Sequence, residues 1–299
     1  MGGASESIAI HSEREGTGVS TQANDEIKES RGLQPRALIV TIYGLYAREA
    51  GGWLSVGSLI RLLAEIGVDE PAVRSSISRL KRRAILEPRR VDGAAGYALS
   101  GRARLILDEG DRRIFERPRA TPDDGWILAV FSVPESERQK RHTLRSRLSW
   151  LGFGTVSAGV WIAPGHLAAE TRDVLERHEL STYVDLFRAD YLGFGEVAQA
   201  VGTWWDLDGL QRLYDGFLAA HTPILTRWRR RRLSDEGEAF ADYVRTLTAW
   251  RRLPFLDPGL APELLPRGWS GAGAADLFFE LRERLADPAH RHVQATRAG

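Results

Sequence analysis

Between Asp69 and Arg83 the chain reads Asp-Glu-Pro-Ala-Val-Arg-Ser-Ser-Ile-Ser-Arg-Leu-Lys-Arg-Arg, an order of residues that favours a helix with its start signal attached. Asp69 can cap free N–H groups, and Pro71 sits in the first turn, where its missing donor costs nothing. Val73, Ile77 and Leu80 recur at i, i+4 and i+7 and form one narrow apolar stripe. At about 100° per residue, Ser75, Ser78, Arg79 and Arg82 project from the opposite side, with Arg74 on the flank. Serines and arginines presented outward on a rod fit a DNA major groove, where Arg reads guanine edges or grips phosphate and Ser contacts either. An ordinary surface helix with a charged face is the competing reading.

The setting favours the groove. Upstream, Pro35 to Ala47 is predicted as a helix with an apolar face. Gly51-Gly52 then break the chain, and Ser55 can cap a shorter helix through Leu59, Ile60, Leu62 and Leu63. Gly67 ends that helix and a tight turn leads to Asp69, which gives helix-turn-helix order. Downstream, Leu86 to Val91, the turn Asp92-Gly93-Ala-Ala-Gly96, and Tyr97 to Leu99 read as a hairpin wing carrying Arg89 and Arg90. From Ala72 to Arg90 the bases are Arg74, Arg79, Lys81, Arg82, Arg83, Arg89 and Arg90, against the single acid Glu87. A winged helix-turn-helix is the expected identity of residues 33–117.

A formal net charge of +1 over 299 residues excludes binding nucleic acid by global charge, so any DNA contact must come from a local patch. Without cysteine the chain can form no disulfide, thiolate metal site or Cys nucleophile. That fits a reducing cytoplasm, the expected location. Residues 1–32 are Gly/Ser/Glu/Thr-rich, lack the apolar core of a signal peptide, and read as a disordered tail. Leu151 to Ala169 is free of charge, but Gly152, Gly154, Gly159 and Pro164 and the alternation around Val156, Val160 and Ile162 indicate strands, not a membrane span.

After a linker at Pro118 to Gly125, residues 118–200 run strand (Trp126 to Val133), helix (Glu135 to Leu151), strand or bent strand pair (Thr155 to Ala163), helix (Leu167 to His178) and strand (Tyr183 to Ala189). This order predicts a ferredoxin-like α+β domain. Residues 201–288 read as a helical C-terminal domain. Its segments are an amphipathic stretch from Leu207 to Leu218, Ile224 to Arg232, Ala239 to Arg252, proline-punctuated turns, and a last helix from Ala274 to Leu285. Residues 289–299 read as a polar tail. The fold class expected for the whole chain is α+β.

Four pieces follow one another in the chain: Val73-Arg-Ser-Ser-Ile-Ser-Arg-Leu80, Gly159-Val-Trp-Ile-Ala-Pro164, Trp205-Asp-Leu207, and Leu253-Pro-Phe-Leu-Asp-Pro258 with Leu264-Leu-Pro266 and Trp269. In this order, from about Pro35 to Leu285, they resemble the PaaX family of bacterial transcriptional repressors. The resemblance implies a homodimeric repressor on a partly palindromic double-stranded DNA operator. It also implies release by an aryl- or acyl-coenzyme A thioester, which in the founding members is phenylacetyl-coenzyme A. No cofactor is expected.

The middle domain also resembles the small ferredoxin-like endonuclease of CRISPR adaptation, which holds a metal with an acid at the end of its first strand. Here that strand ends Phe131-Ser132-Val133, without the carboxylate a hard cation needs. A metal-dependent nuclease is therefore a rival reading, as is a winged-helix protein-interaction module. The histidines lack metal-ligand spacing and no nucleophile elbow is present, so the expectation is no enzyme. A thioester effector needs cations beside an aromatic cavity. The region expected to supply it carries Trp204, Trp205, Trp228, Arg229, Arg230 and Arg251; the alternative is tryptophans in the core and arginines in solvent.

Overall fold

The computed structural model describes residues 34–48, 51–231 and 235–298; the tail expected at residues 1–32 lies outside them. Helix α1 (Pro35–Ile42) begins with proline in its first turn and runs on as a π-helical turn, Tyr43–Ala47. Strand β1 (Trp53–Ser55) follows, then α2 (Val56–Glu65), α3 (Glu70–Arg82), and the hairpin of β2 (Leu86–Val91) and β3 (Ala94–Leu99). Helix α4 (Gly101–Asp111) leads out through a second π-helical turn, Arg112–Glu116.

The caps are those the sequence offers. The Ser55 side chain accepts from the Ser58 amide at 3.0 Å and Asp69 from the Ala72 amide at 2.7 Å, each satisfying one of the orphan donors of a first turn. Gly67 takes φ +86° between the two helices. Strand β1 was not foreseen. It pairs antiparallel with β3, so the sheet order is β1-β3-β2. Three residues are too short for an alternating pattern to show.

The middle unit contains β4 (Trp126–Phe131), α5 (Arg138–Trp150), β5 (Gly154–Ser157), β6 (Val160–Pro164), α6 (Ala168–Arg177) and β7 (Val184–Ala189). All neighbouring strands are antiparallel in the order β5-β6-β4-β7, the arrangement of two interleaved split βαβ units. The Thr155 to Ala163 segment is a hairpin turning at Ala158-Gly159, with a bulge between Thr155 and Ser157. One sheet face packs Ile127, Ala129 and Phe131 against Leu144, Leu148 and Val174 of the helices. The other packs Trp126 and Ile162 against Val201 and Leu207.

Helices α7 (Val197–Trp204), α8 (Leu207–Arg230), α9 (Glu236–Trp250), α10 (Leu253–Leu256) and α11 (Gly271–Ala298) complete the fold. Two expectations need correction here. The segments divided near His221 form a single helix through Pro223, and the last helix does not stop at Leu285 but continues through Pro288 to Ala298. Residues read as a polar tail are thus part of the core, with Ala289 and Val293 buried. Proline inside a helix costs about 3 kcal/mol, and the burial beyond it outweighs that penalty.

The first and third units also share one hydrophobic core, instead of a core each. Leu38, Ile42 and Tyr43 pack in the same cluster as Phe240, Val244, Phe278 and Leu281. This is why α1 is buried on nearly every side from Ala37 to Ile42. Among the described residues no helix is long and apolar enough to cross a membrane.

Candidate nucleic-acid interface

Helix α3 is seated by Val73, Ile77 and Leu80, with relative exposures of 0%, 3% and 1%. Arg74, Ser75, Ser78, Arg79, Lys81 and Arg82 are exposed on its other side. Ser76, to which no role was given, joins the inner stripe and is buried. Arg79, Lys81 and Arg82 fall in the last turn, where cations oppose the negative end of the helix dipole. Arg74 forms an i,i+4 ion pair with Glu70 at 2.7 Å, so its charge is matched within the helix.

The wing turns at Asp92-Gly93, with φ of +49° and +80°, the signature of a tight two-residue hairpin connection. Arg89 and Arg90 are exposed, as expected, but strand alternation separates them. Arg89 pairs across to Gly96 and Arg90 to Ala95. Arg90 shares the face of Leu86, which packs on the helices, and its Nη1 reaches back to the Gly93 carbonyl at 3.3 Å. Arg89 lies on the opposite face with Trp53, whose Nε1 donates to the Arg89 carbonyl at 3.0 Å. The indole lies over Gly96, where a Cβ would approach the Leu54 carbonyl to 2.3 Å and the ring to 2.5 Å. Only glycine admits that contact.

Sequence reasoning missed a further contribution. The end of α11 lies beside the hairpin, and Gln294 and Arg297 line a cleft with Trp53, Arg61 and Asp92. Arg61 Nη2 donates to the Thr296 carbonyl at 2.8 Å. The signal that could have revealed it is the i, i+4 spacing of Ala289 and Val293, which continues the apolar stripe of Leu281 and Leu285 past Pro288.

The six residues expected around an effector do not converge. Trp204 and Trp205 pack on Trp126 at ring distances of 5.6 and 6.1 Å, and Trp205 Nε1 donates to the Gly152 carbonyl at 3.0 Å. Trp228 is a core residue that donates to Asp242 Oδ2 at 2.7 Å. Arg229 pairs with Glu280 at 2.7 Å, and together with Arg284 it holds the Glu280 carboxyl down at about 2. Arg230 is exposed at the end of α8. Arg251 is buried far along the chain beside Ala37, with its Nη2 3.5 Å from that carbonyl. Charge pairing inside the protein accounts for Arg229, and helix packing for Trp228. Among the described residues no cluster of three or more His, Asp or Glu side chains could hold a metal ion.

Three family descriptions match the chain in order. "PaaX-like protein" covers residues 34–103, "PaaX protein central Cas2-like domain" covers 119–201, and "PaaX-like protein C-terminal domain" covers 205–295. The transcriptional repressor PaaX of Escherichia coli (strain K12) is 26% identical over 262 residues, covering 85% of this chain and 81% of that protein. Among solved structures, the uncharacterized protein Rv0674 from Mycobacterium tuberculosis has a TM-score of 0.53 at 25% identity. That match covers 84% of this chain and 99% of the other.

Proposed function

Because the chain belongs to the PaaX family of bacterial transcriptional repressors, we propose that it is a DNA-binding transcriptional repressor whose helix α3 enters the major groove of its operator. The observation that carries this reading is the division of α3 into a buried aliphatic stripe and an exposed face of Ser75, Ser78, Arg79, Lys81 and Arg82. Residues 34–111 act as a winged helix-turn-helix. Arg79 and Arg82 reach base edges or phosphate, and Arg74 contributes after exchanging Glu70 for phosphate. Arg90 takes flanking phosphate from the wing, and Arg89 reaches the backbone from the other side of the hairpin.

The repressor works as a homodimer on a partly palindromic site, since a two-fold protein matches two half-sites one helical turn apart. Its middle unit supplies the pairing surface. Val130 and Phe187 lie exposed on the sheet face that α7 leaves uncovered, and Val156 is exposed at the bulge of β5. Release follows from an aryl- or acyl-coenzyme A thioester, phenylacetyl-coenzyme A or a relative, that binds better to a conformation unable to seat both wings. The genes controlled form an aromatic-acid catabolic operon of phenylacetate type, and the protein works in the cytoplasm.

A mobility-shift titration on the promoter of its own gene tests the core of this reading. Binding that is specific, salt-dependent and lost in the Arg79→Ala/Arg82→Ala variant supports it. Equal binding by wild type and variant overturns it.

A further inference from the structure

The last helix ends against the hairpin, at an open cleft with a volume of about 560 Å³, a size that accommodates molecule-sized groups. Its floor is one face of the small sheet. Directly opposed strand residues share a face, as do alternate ones. The register Ser55↔Gly96, Arg89↔Gly96 and Val91↔Ala94 therefore places Trp53, Ser55, Val91 and Ala94 on the same side as Arg89. The first four line the cleft, and Arg89 stands at its edge on the outer strand β2.

The walls bring cations. Helix α2 contributes Arg61 and α11 contributes Arg297. Arg61 Nη2 donates to the Thr296 carbonyl at 2.8 Å and to Ser58 Oγ at 3.4 Å. That holds the last turn of α11 beside α2 and leaves the Nε and Nη1 donors of Arg61 to another acceptor. Arg297 is the more telling residue. Leu285, Ala289 and Val293 recur every four residues along the buried stripe of α11, with exposures of 0%, 0% and 1%. Residue 297 is the next place in that series, where another aliphatic side chain would lengthen the core. A half-buried arginine stands there instead, where the helix meets the cleft.

The neighbouring acids do not neutralise these cations. Glu65 Oε2 lies 2.6 Å from His292 Nε2, and Glu236 lies 2.7 Å from Arg291. Among the described residues no acid pairs with Arg61, Arg89 or Arg297. Asp92, at the hairpin turn, is the acid that lines the cleft, and Glu87 shares the sheet face further from the turn, opposite Ala98. The Ser55 and Ser58 hydroxyls are hydrogen-bonded to each other at 2.8 Å. What the cleft offers an occupant is positive charge from three separate elements, the provision that suits phosphate and carries no readout of bases.

We propose that this cleft holds the sugar-phosphate backbone of the operator beside the hairpin, with Arg297, Arg61 and Arg89 as its phosphate ligands. The inference rests on the DNA-binding reading and extends it to the third unit, whose last helix becomes a DNA contact in its own right. Because α11 belongs to the core shared by the first and third units, both are held to the same stretch of duplex.

The test titrates the full chain on operator and on scrambled duplex at several salt concentrations, as wild type, Arg297→Gln, Arg297→Lys and Arg79→Ala/Arg82→Ala. Arg297→Gln should weaken both duplexes alike, by at least about three-fold at low salt, and shrink the slope of log affinity against log salt by about one. Its melting curve should match the wild type, and Arg297→Lys, which keeps the charge, should restore the slope. A purely structural role would lower the melting temperature and leave the slope alone. Since the chain has no cysteine, Arg297→Cys supplies a single thiol for a photo-reactive aryl azide, which should crosslink to DNA in the operator complex. An unchanged salt slope in Arg297→Gln overturns the proposal, as does the absence of a crosslink from labelled protein that still binds the operator. In either case, wild-type binding that is lost in Arg79→Ala/Arg82→Ala leaves the repressor reading standing. If the wild type binds neither duplex in a salt-dependent way, both fall together.

Discussion

The guanidinium of Arg117 lies 3.1 Å from the carboxylate of Asp257, with only 10% and 4% of the two side chains exposed. The same Asp257 oxygen accepts from Tyr214 at 2.7 Å and from Arg119 at 3.4 Å, and its other oxygen accepts from the Gly259 amide at 2.9 Å. Arg117 itself adopts a left-handed backbone, φ +50°, which turns the chain out of α4 and into the linker. One carboxylate therefore ties the exit of the first unit to the loop after α10. Removing one partner of a buried pair leaves the other uncompensated, at a cost of about 3–5 kcal/mol. Asp257→Ala should lose that much in urea denaturation, and Asp257→Asn, which keeps an acceptor, distinctly less.

On α3, the proposed recognition helix, replacing Arg79 by Ala should cost about 1–3 kcal/mol of operator affinity and relax discrimination at one base position, the behaviour of a base-reading arginine. Arg90→Ala should instead weaken all sequences alike and flatten the dependence of log affinity on log salt by about one unit. Binding titrations at several salt concentrations on the operator and on scrambled DNA separate the two. Arg74→Ala should do less than Arg79→Ala, because its charge is already matched by Glu70.

The exposed face of α3 was legible because a cap, a first-turn proline and a three-residue stripe all specify one helix and one orientation. The middle unit was legible from its alternation of strand and helix, down to the break at Gly159. What failed was long-range. Pro223 and Pro288 are strong local stop signals, and only the packing of their flanks against other helices shows that the helices pass through them. The shared core of the first and third units is invisible for the same reason, since nothing local tells the helix of Leu38 that α9 will pack against it. The six residues named for an effector lie apart because tryptophan and arginine are equally suited to core packing and ion pairing, and Trp228 and Arg229 are used that way.

The far end of α11 offers a direct check on that correction. Val293 is 1% exposed, and the ring of His292 packs on Phe240 at 5.6 Å. Val293→Ala removes buried methyl groups and leaves a void, costing about 2 kcal/mol. Truncation after Asp287 should abolish the cooperative melt, as judged by circular dichroism, whereas loss of a solvated tail would leave the melt unchanged.

Acid should destabilise the protein before its carboxylates titrate. The ring of His221 is stacked on Phe217 at 4.2 Å, and its Nδ1 donates to the Phe217 carbonyl at 2.8 Å. Burial holds its pKa below the usual 6.5, against smaller opposing effects from that carbonyl and from Asp242. Burial lowers His166 likewise, with Asp124 opposing. A base whose folded pKa is depressed binds fewer protons folded than unfolded, so stability rises with pH through that interval. The contribution is complete above about pH 6.5 and drains away as pH falls through the unfolded value towards the folded one. The urea midpoint should therefore drop between pH 7.5 and pH 5.5. In His221→Gln, which cannot take up the proton, the drop over the same interval should be smaller; an unchanged pH profile in that variant would show that the buried ring is not what titrates.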